Sequence, residues 1–233
     1  MLKAVIFDVD GTLAETEEVH REAFNTVFER VGLGWYWSPE EYCELLKVFG
    51  GKERIRHFVE TESIDGISDE DILELHRLKT SLYAELLPLT AKLRPGVERL
   101  IQECLSRSVR LAIATTTTES NVVALDRAVG GSLRLDNFDV VVGGNKVPQK
   151  KPDPMVYQTT LQKLGFEPAE AIAIEDASAG VEAARGAGLR CLATPSYYTT
   201  AHDLSQATAV VEDLTNRGDG NPVTVDYLEM LTD

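Results

Sequence analysis

Short runs of apolar residues recur along the chain and constrain its fold more than any other feature. They read KAVIFDV, VRLAIAT, FDVVVGG, AIAIED and RCLAT, with TAVVED as a candidate sixth. The runs are dense in Val, Ile and Ala, and most of them alternate with segments of helical periodicity. This alternation is typical of βαβ units, in which buried parallel strands are covered by helices on both faces. The sequence therefore predicts an α/β fold built on a parallel sheet.

The segment that follows the first predicted strand, roughly residues 16–91, interrupts this alternation because it carries helix signals only. The motif SPEE, which begins at Ser38, predicts a capping box at a helix N-terminus. Ser68 and Asp71 predict the cap of a third helix that runs to Pro88. Three or more helices are therefore inserted between the first strand and the rest of the sheet, and we interpret them as a helical cap.

The chain has 233 residues, which is enough for one α/β domain and a smaller inserted unit. We predict a catalytic core formed by residues 1–15 and 92–233, and a helical cap formed by residues 16–91. The sequence contains no internal repeat and no low-complexity tract that would suggest a different organisation.

The charge balance narrows the classes of partner. The formal net charge is −15, whereas binding to nucleic acid or to anionic membranes needs clustered Lys and Arg. We therefore expect no nucleic acid and no membrane among the partners. An anionic small molecule remains compatible with an acidic chain, provided that a local pocket of cations, metal and helix N-termini outweighs the global charge.

Cysteine and histidine usage points away from disulfides and zinc. The three cysteines are far apart with no CxxC pair, which favours free thiols in a reducing compartment. The four histidines form neither HxxxH nor HxH, so we do not expect a zinc site. The first residues lead directly into a strand-like run, and no apolar run reaches membrane-spanning length. From these features we expect a cytoplasmic protein.

Polar side chains stand where the predicted strands end. In open parallel sheets, ligands bind beyond the carboxyl ends of the strands, so these side chains should meet in one crevice. Carboxylates follow the first and fourth strands, hydroxyls follow the second, and lysines lie in the loop after the third. The residues are Asp8, Asp10, Thr115, Thr116, Lys150, Lys151, Glu175 and Asp176.

This set of residue types fits phosphoryl transfer. A strand-end carboxylate such as Asp8 can attack phosphorus, but it faces charge repulsion from the phosphate and needs positive groups around the reaction centre. Mg²⁺ prefers oxygen ligands, so Asp8, Asp176 and a backbone carbonyl at Asp10 would suffice to hold it, with Glu175 either supporting or coordinating. Lys151 would hold the phosphate and the ionised Asp8.

Asp10 has a separate task in this chemistry. A sugar alkoxide is a poor leaving group, and Asp10 could protonate it and then take a proton from the hydrolytic water. The two roles require split pKa values, so we expect Asp8 to be ionised and Asp10 to start protonated. The Thr115 hydroxyl and the Thr116 amide would bind the phosphate oxygens.

These motifs resemble those of the haloacid dehalogenase superfamily. DVDGTL from Asp8 resembles the first motif, and Thr115 ends a strand as the second motif does. Lys151 in KKPDP is similar to the third motif, and Glu175–Asp176 in AIEDASAGVEAARGAG to the fourth. The likeness covers essentially the whole chain and includes a helical cap between the first two motifs. It implies a Rossmann-like core, Mg²⁺, Asp8 as the nucleophile and Asp10 as the general acid and base.

The segments FGGKERI and GGNKVPQKKPDP narrow the resemblance to the CbbY-like sugar phosphatases, which are relatives of β-phosphoglucomutase. Two registers are open locally. TTTT offers four threonines, of which the strand end favours Thr115, and KVPQKK offers three lysines, of which the Lys-Pro step of the family favours Lys151.

The cap carries the candidate substrate-binding residues. In the related enzymes, the distal end of the substrate is bound by the helix after the first motif and by a Gly-rich loop. Arg54 could grip a second phosphate with two parallel hydrogen bonds. The candidates are Glu17, His20, Tyr42, Gly50, Gly51, Lys52, Arg54 and Lys79, with Tyr42 and Lys79 resting on the looser spacing.

The resemblance implies that the partner is a small-molecule sugar phosphate. More specifically, it suggests a pentulose bisphosphate such as xylulose-1,5-bisphosphate, which inhibits Rubisco. The enzyme would then repair a metabolite of carbon fixation in the Calvin cycle, and we expect it to be a monomer. One alternative is a sugar phosphomutase of the β-phosphoglucomutase type, which His20 and Lys79 keep open. A second alternative is a non-catalytic phosphosugar-binding protein.

Overall fold

The protein, described here by a computed structural model for residues 1–48 and 50–232, is built on a six-stranded parallel sheet. Each apolar run of the sequence forms one strand, so the predicted α/β fold is confirmed. The strands are β1 Ala4–Phe7, β2 Arg110–Ala114, β3 Val140–Val142, β4 Ala171–Glu175, β5 Arg190–Ala193 and β6 Ala209–Val210. They follow the order β3-β2-β1-β4-β5-β6 across the sheet.

Strand β1 lies at the centre of the sheet and positions the candidate site. It pairs in parallel with both β2 and β4, and Phe7 lies level with Ile113 on one side and Ile174 on the other. The order of the strands reverses at β1, which leaves a crevice at the carboxyl ends of β1, β2 and β4. The residues that follow these strands therefore face the same crevice.

Four helices separate β1 from the rest of the sheet: α1 Glu17–Arg30, α2 Pro39–Leu45, α3 Gly51–Thr61 and α4 Asp69–Thr90. Ser38 caps α2 by accepting a hydrogen bond from the Glu41 amide, and Ser68 and Asp71 form a reciprocal capping box at the start of α4. We propose that these helices constitute the cap of residues 16–91.

Helix α4 continues two residues beyond Pro88, so the prediction that it ends at this proline is wrong. Pro88 lies in the last turn, where its missing N–H removes a single intrahelical hydrogen bond. Leu87 is fully buried, and its carbonyl accepts a hydrogen bond of 2.8 Å from the Ala91 amide. Tertiary packing of this turn therefore holds the helix past the proline.

The core helices are α5 Val97–Ser106, α6 Glu119–Ala128, α7 Met155–Leu164, α8 Ser178–Gly186 and α9 Val225–Thr232. Alternate residues of β1 face opposite sides of the sheet. Val5 and Phe7 join the cluster that contains α5 and α9, and Ala4 and Ile6 join the cluster that contains α7 and α8. The sheet is thus buried on both faces, as a Rossmann-like core requires.

Two short segments connect the cap to the core, and they are hydrogen-bonded to each other. Ala14 pairs with Leu93, and the Arg94 amide donates to the Leu13 carbonyl over 2.9 Å. On the far side of the cleft, Lys150 of the core pairs with Glu53 of the cap at 3.1 Å. The cap therefore lies over the carboxyl ends of the strands.

Within the described part of the chain, no helix combines the length and the hydropathy needed to span a lipid bilayer. The three cysteines are free thiols.

Candidate active site

Lys151 ties together the carboxylates at the floor of the crevice. Its ammonium lies 2.6 Å from Asp8 Oδ1 and 2.6 Å from Glu175 Oε1, and it donates to the Ala114 carbonyl over 2.9 Å. Asp8 directly follows β1 and Glu175 is the last residue of β4, so the sheet itself sets their separation. All three charged side chains are buried. The structure thus brings together residues that are 143 positions apart in sequence.

Asp176 completes an acidic cluster with Asp8 and Glu175. One oxygen from each carboxylate lies within 4.8 Å of the others, which is a spacing that can hold a metal ion. Ser196 and Thr199 donate to Asp176 Oδ2 over 2.7 Å and 3.0 Å. Three buried carboxylates face one ammonium here, so the floor carries an excess of negative charge that a divalent cation would balance.

The pKa values of the floor residues show this excess. Burial raises the pKa of Asp8 well above its usual range, and although Lys151 opposes this effect, Glu175 and Asp176 reinforce it. Burial and then the charge of Glu175 raise the pKa of Asp176 to about 8. Burial alone would lower the pKa of Lys151, but the carboxylates of Asp8 and Glu175 outweigh it and raise this pKa. The ammonium is therefore charged at neutral pH.

Asp10 lies in a hydrogen-bonded chain that reaches into the cap. Its Oδ1 accepts a 2.5 Å hydrogen bond from Thr16 and lies 3.2 Å from His20 Nε2. The other ring nitrogen of His20 lies 2.5 Å from the Lys79 ammonium, and the ring stacks on Tyr83 at 4.0 Å. This hydrogen-bonded chain links two of the cap candidates, His20 and Lys79, to the carboxylate of Asp10.

The order of the two carboxylate pKa values differs from our expectation. Burial would raise the pKa of Asp10, but His20, Thr16 and Lys79 together lower it, whereas the pKa of Asp8 is raised. The protein side chains by themselves therefore shift the two pKa values in opposite directions, with that of Asp8 raised and that of Asp10 lowered. The physical reason is that Asp8 shares its buried site with two other carboxylates, whereas Asp10 lies beside His20 and Lys79 and accepts a hydrogen bond from Thr16.

Threonines line the second strand end. Thr115 is buried, and its hydroxyl accepts a hydrogen bond of 3.2 Å from the Thr117 amide. Thr116 borders the cleft on the core side, and its carbonyl packs so closely on Gly144 that a Cβ there would overlap it. Thr116 therefore lies at the crevice, whereas Thr115 is buried beside it with its hydroxyl bonded to the following turn.

The cleft between cap and core has a volume of about 490 Å³. Cap and core both contribute to its walls, and most of the substrate-binding candidates border it. These are Glu17, His20, Gly50, Gly51, Lys52, Arg54, Lys79 and Thr116. Asp8, Lys151, Glu175 and Asp176 line the smaller inner pocket that continues below it.

Tyr42 is the exception among the cap candidates. It is fully buried, its hydroxyl donates to Glu17 over 3.0 Å, and that hydroxyl accepts from Arg54 Nη1 over 2.9 Å. Arg54 Nε also donates to the Leu45 carbonyl over 3.1 Å. Tyr42 therefore stands behind the wall of the cleft and orients Glu17 and Arg54 instead of lining the cleft itself.

The Gly-rich loop is enclosed from two sides. A Cβ on Gly51 would lie 2.7 Å from the ring of His76, and a Cβ on Gly50 would overlap the Glu53–Lys150 ion pair. Gly50 also adopts a φ of +97°, a conformation that strains any other residue, whereas a side chain at Gly51 would require His76 to shift. Burial and the charges of nearby lysines lower the pKa of His76 to about 3, so its imidazole is neutral.

Sequence reasoning missed several residues of the site. Tyr157 donates a 2.5 Å hydrogen bond to Glu175 Oε1, and its position in α7 is also that of an ordinary core aromatic. Thr16 follows the first motif at a spacing that carries no signal of its own. Other residues that contact Asp176 or border the cleft come from segments outside the motifs, namely Ser196, Thr199, His76 and Arg77.

Comparisons with known proteins agree with the geometry. Residues 5–194 match the model of the haloacid dehalogenase-like hydrolase family. Protein CbbY of Rhodobacter capsulatus is 50% identical over 214 residues, which cover 91% of this chain and 94% of that protein. A phosphorylated carbohydrates phosphatase of Thermotoga maritima is 33% identical, and the match covers 91% of each chain.

A solved structure shows the same fold. The crystal structure of CbbY from Rhodobacter sphaeroides in complex with xylulose-(1,5)bisphosphate matches with a TM-score of 0.86 and 44% identity, over 91% of this chain and 95% of that chain. The predicted nearness to CbbY is therefore confirmed. The chain belongs to the haloacid dehalogenase-like hydrolases and is a phosphoric monoester hydrolase of that family.

Proposed function

We propose that the enzyme hydrolyses sugar phosphates with the help of Mg²⁺, through a phosphoryl group carried transiently on Asp8. The observation that supports this proposal most is the Asp8–Lys151–Glu175 arrangement in the inner pocket of the cleft. Lys151 bonds to Oδ1 of Asp8, and among the described residues none donates to Oδ2. One carboxylate oxygen is therefore anchored while the other is available to attack phosphorus.

The acidic cluster is the proposed Mg²⁺ site. Asp8, Asp176 and the main-chain carbonyl of Asp10 would hold the ion, because their oxygens suit a hard cation and their excess charge needs one. Glu175 shares its Oε1 between Lys151 and Tyr157, so we assign it a supporting role. When bound, a divalent cation would neutralise charge on the nucleophile and on the phosphate oxygens.

The reaction would proceed in two balanced steps. The Asp8 carboxylate forms a bond to phosphorus while the bond from phosphorus to the sugar oxygen breaks, and Asp10 protonates the departing oxygen. Water then attacks the same phosphorus, gives its proton to Asp10, and the bond to Asp8 breaks to release inorganic phosphate. Lys151, the Thr115 hydroxyl and the Thr116 amide would bind the phosphate oxygens throughout.

Asp10 must be protonated when the substrate reacts, although His20 and its neighbours lower its pKa in the free protein. The substrate supplies the compensating effect. A phosphate dianion placed beside Asp10 raises the pKa of the carboxyl, because like charges disfavour the ionised form. Asp10 would thus become protonated when the substrate binds, so that it acts as a general acid only in the enzyme–substrate complex.

The substrate we propose is a pentulose bisphosphate such as xylulose-1,5-bisphosphate. Its support is the similarity to CbbY, whose structure contains this sugar bisphosphate, together with the cationic cap wall. Arg54 and Lys52 would hold the distal phosphate, while Glu17 and His20 would contact sugar hydroxyls. Removal of this Rubisco inhibitor would make the enzyme, which we expect to act as a monomer, a repair enzyme of carbon fixation.

A phosphomutase is the second candidate, since Asp10, His20 and Lys79 form a continuous chain from the floor into the cap. The same core could return phosphate to a second hydroxyl if the cap held a bisphosphate intermediate. The products separate the two activities, because a mutase yields an isomeric sugar phosphate while a phosphatase yields inorganic phosphate.

A phosphate-release screen over mono- and bisphosphorylated pentoses and hexoses tests the proposal. We expect Mg²⁺-dependent release with a preference for bisphosphates, abolished by chelator, restored by added Mg²⁺ and inhibited by Ca²⁺, whose larger shell misplaces the nucleophile. Asp8→Asn, prepared in parallel, controls for contaminating phosphatases. Full activity in excess chelator would refute the metal requirement, and isomerised product without phosphate release would favour the mutase. Substrate binding without any turnover would favour the non-catalytic protein.

A further inference from the structure

Arg94 lies in the second segment between cap and core, and its guanidinium is buried under the catalytic turn. Its Nη1 donates to the carbonyls of Gly11 and Thr194 over 2.5 Å and 2.7 Å. Its Nη2 donates to the Pro195 carbonyl over 2.8 Å, and its Nε pairs with Glu15 at 3.0 Å. The side chain is 7% exposed. One cation therefore bridges the turn at Gly11, the chain after β5 and the connection that carries Glu15.

The first of these segments is the turn that carries Asp8 and Asp10. Gly11 adopts a φ of +78°, and a Cβ at this position would overlap the carboxylate of Asp176 and lie 2.9 Å from the Ser196 hydroxyl. The peptide of Gly11 therefore packs directly on the proposed metal ligand. Arg94 fixes the direction of the Gly11 carbonyl and, through it, the position of the turn.

The second segment leads from β5 to the residues that hold Asp176. Thr194 and Pro195, whose carbonyls bind Arg94, immediately precede Ser196. Ser196 donates to Asp176 Oδ2, and the Thr194 amide donates to the Glu175 carbonyl over 2.7 Å. The guanidinium therefore holds the chain on both sides of Asp176, once through the turn and once through the Ser196 loop.

The third segment is the first connection between core and cap, which carries Glu15. The Arg94 amide bonds to the Leu13 carbonyl, next to the pairing of Ala14 with Leu93, so the residue lies in one connection between cap and core and is bonded to the other. Glu15, its ion-pair partner, lies on the other connection. Any rotation of the cap about these segments acts on the residue that also orients the catalytic turn.

We propose that Arg94 is a positioning residue, which sets the Asp8–Asp10 turn and the Ser196 loop around Asp176 and couples both to the base of the cap. The inference rests on the proposed roles of Asp10 and Asp176. A planar guanidinium with five N–H donors can serve three carbonyls and a carboxylate at once, whereas the ammonium of lysine carries three donors on a single nitrogen atom. Arg94→Lys should therefore keep the positive charge but lose some of the hydrogen bonds to the carbonyls of Gly11, Thr194 and Pro195.

Arg99 provides a matched control, because its guanidinium also binds two main-chain carbonyls of the core. It donates to the carbonyls of Leu214 and Val223 and pairs with Glu103 at 2.9 Å, away from the cleft. Arg99→Lys should lower the melting temperature without changing kcat. Comparing the two variants separates a loss of positioning from a general loss of stability.

The test is steady-state kinetics together with calorimetric Mg²⁺ binding for Arg94→Lys and Arg99→Lys. A displacement of about 1 Å of reacting groups can cost on the order of 10²-fold in rate, so we expect Arg94→Lys to lose roughly 10- to 100-fold in kcat. Its KM should change by less than about threefold, because the cap wall is intact. Its Mg²⁺ affinity should fall several-fold, whereas Arg99→Lys should keep both values.

A double-mutant cycle with Ser196→Ala sharpens this test. Both substitutions act on Asp176 through the same loop, so their effects on Mg²⁺ affinity should be less than additive. Additive effects, or equal kcat for Arg94→Lys and Arg99→Lys, would overturn the proposal. If Arg94→Lys does not fold, Glu15→Ala removes one contact of the guanidinium, and an unchanged kcat in that variant would also overturn the proposal. If the wild-type enzyme showed no turnover, the proposed function would fail, while the Mg²⁺ affinities would still test Arg94.

Discussion

The floor of the cleft and its cap wall have opposite charges. The floor consists of buried carboxylates that share Lys151, and burial together with mutual repulsion raises the pKa of Asp8 and Asp176. The cap wall presents mainly cationic groups, which are Lys52, Arg54 and Arg77. The floor therefore needs a cation and the wall needs an anion. A sugar phosphate bound with a divalent metal ion satisfies both.

The two regions also differ in how firmly they are built. Each side chain of the floor extends from a strand end or is bonded to one that does, so the sheet sets the geometry for the reaction. The wall is carried by helices and a Gly-rich loop joined to the core through two short connections. This difference indicates that the floor determines the chemistry and the wall determines which phosphate ester is accepted. Substitutions on each side should then have separable effects.

The largest effect should come from the nucleophile of the floor. Asp8→Asn removes the attacking carboxylate, and we expect turnover to fall by about 10⁴-fold or more for every substrate, whatever its distal group. The metal-free variant should be at least as stable as the wild type, because a buried carboxylate with a raised pKa is lost. Phosphate-release assays and thermal melts measure the two outcomes. Substantial residual activity in a clean variant would remove Asp8 from the nucleophile role.

The next effect should come from the boundary between floor and wall. Asp10→Asn removes the general acid and base, and we expect a loss of about 10²- to 10⁴-fold with sugar phosphates. p-Nitrophenyl phosphate has an acidic leaving group, so its phosphorylation step should be affected much less. Single-turnover release of p-nitrophenolate and of sugar measures this step. Equal losses for both substrates would contradict the assignment of Asp10 as the acid.

The floor was more predictable from sequence than the wall. Each of its charged residues follows a strand or lies in the adjoining loop, and a parallel sheet brings strand ends together whatever the intervening sequence. Of the residues between which the two registers were left open, Thr115 directly follows β2 and Lys151 contacts Asp8. The contacts of Ser196 and Thr199 with Asp176 depend on how a loop after β5 returns to the site, which no local pattern encodes.

The order of the Asp8 and Asp10 pKa values and the position of Tyr42 were less predictable, because both depend on burial in the folded chain. The pKa of Asp8 depends on how completely it is buried beside Glu175 and Asp176, and burial is a property of the folded chain. Tyr42 has the spacing of a cleft residue but lies behind Arg54, because the packing of α2 against α1 sets its depth. Helical periodicity identifies a face and leaves open which residues of that face reach the ligand.

An intermediate effect should separate the wall from the floor. Losing an Arg–phosphate contact in a closed site costs on the order of 2–4 kcal/mol, so Arg54→Ala should lower kcat/KM for a bisphosphate by a few tens to several hundred fold. p-Nitrophenyl phosphate, which has no distal phosphate, should lose little. Glu17 and His20 variants should instead affect mono- and bisphosphates similarly, because both residues would contact sugar hydroxyls.

Arg56→Ala is the matched control for this prediction. Arg56 lies on the same helix as Arg54, but its guanidinium pairs with Asp69 at the surface. The variant should leave the kinetics of both substrates unchanged. An equal loss for the bisphosphate and for p-nitrophenyl phosphate in Arg54→Ala would identify Arg54 as a structural residue of the cap.

The smallest effect concerns the stability cost of a cation buried in the wall. Lys79 has a pKa of about 7 instead of 10.5, because burial and the charge of Arg54 disfavour its ammonium more than Glu17 and Asp10 favour it. Between pH 10.5 and about pH 7, Lys79 is protonated in the unfolded chain but largely unprotonated in the folded protein. The cost therefore grows as the pH falls from 10.5 to 7, is fully present below 7, and vanishes above 10.5.

Lys79→Met removes this cost and keeps an unbranched side chain against Phe24 and Tyr83. The pKa difference corresponds to roughly 5 kcal/mol, and the lost hydrogen bond to His20 and the lost cation–π contacts offset part of it. We expect the variant to be about 1–3 kcal/mol more stable at pH 7 and to lose this advantage by pH 10. Urea unfolding at both pH values measures it, with Lys52→Met at the rim as the control. A stability difference for Lys79→Met that did not change with pH would contradict this prediction. It would show that the contacts of the ammonium offset the cost of burying its charge.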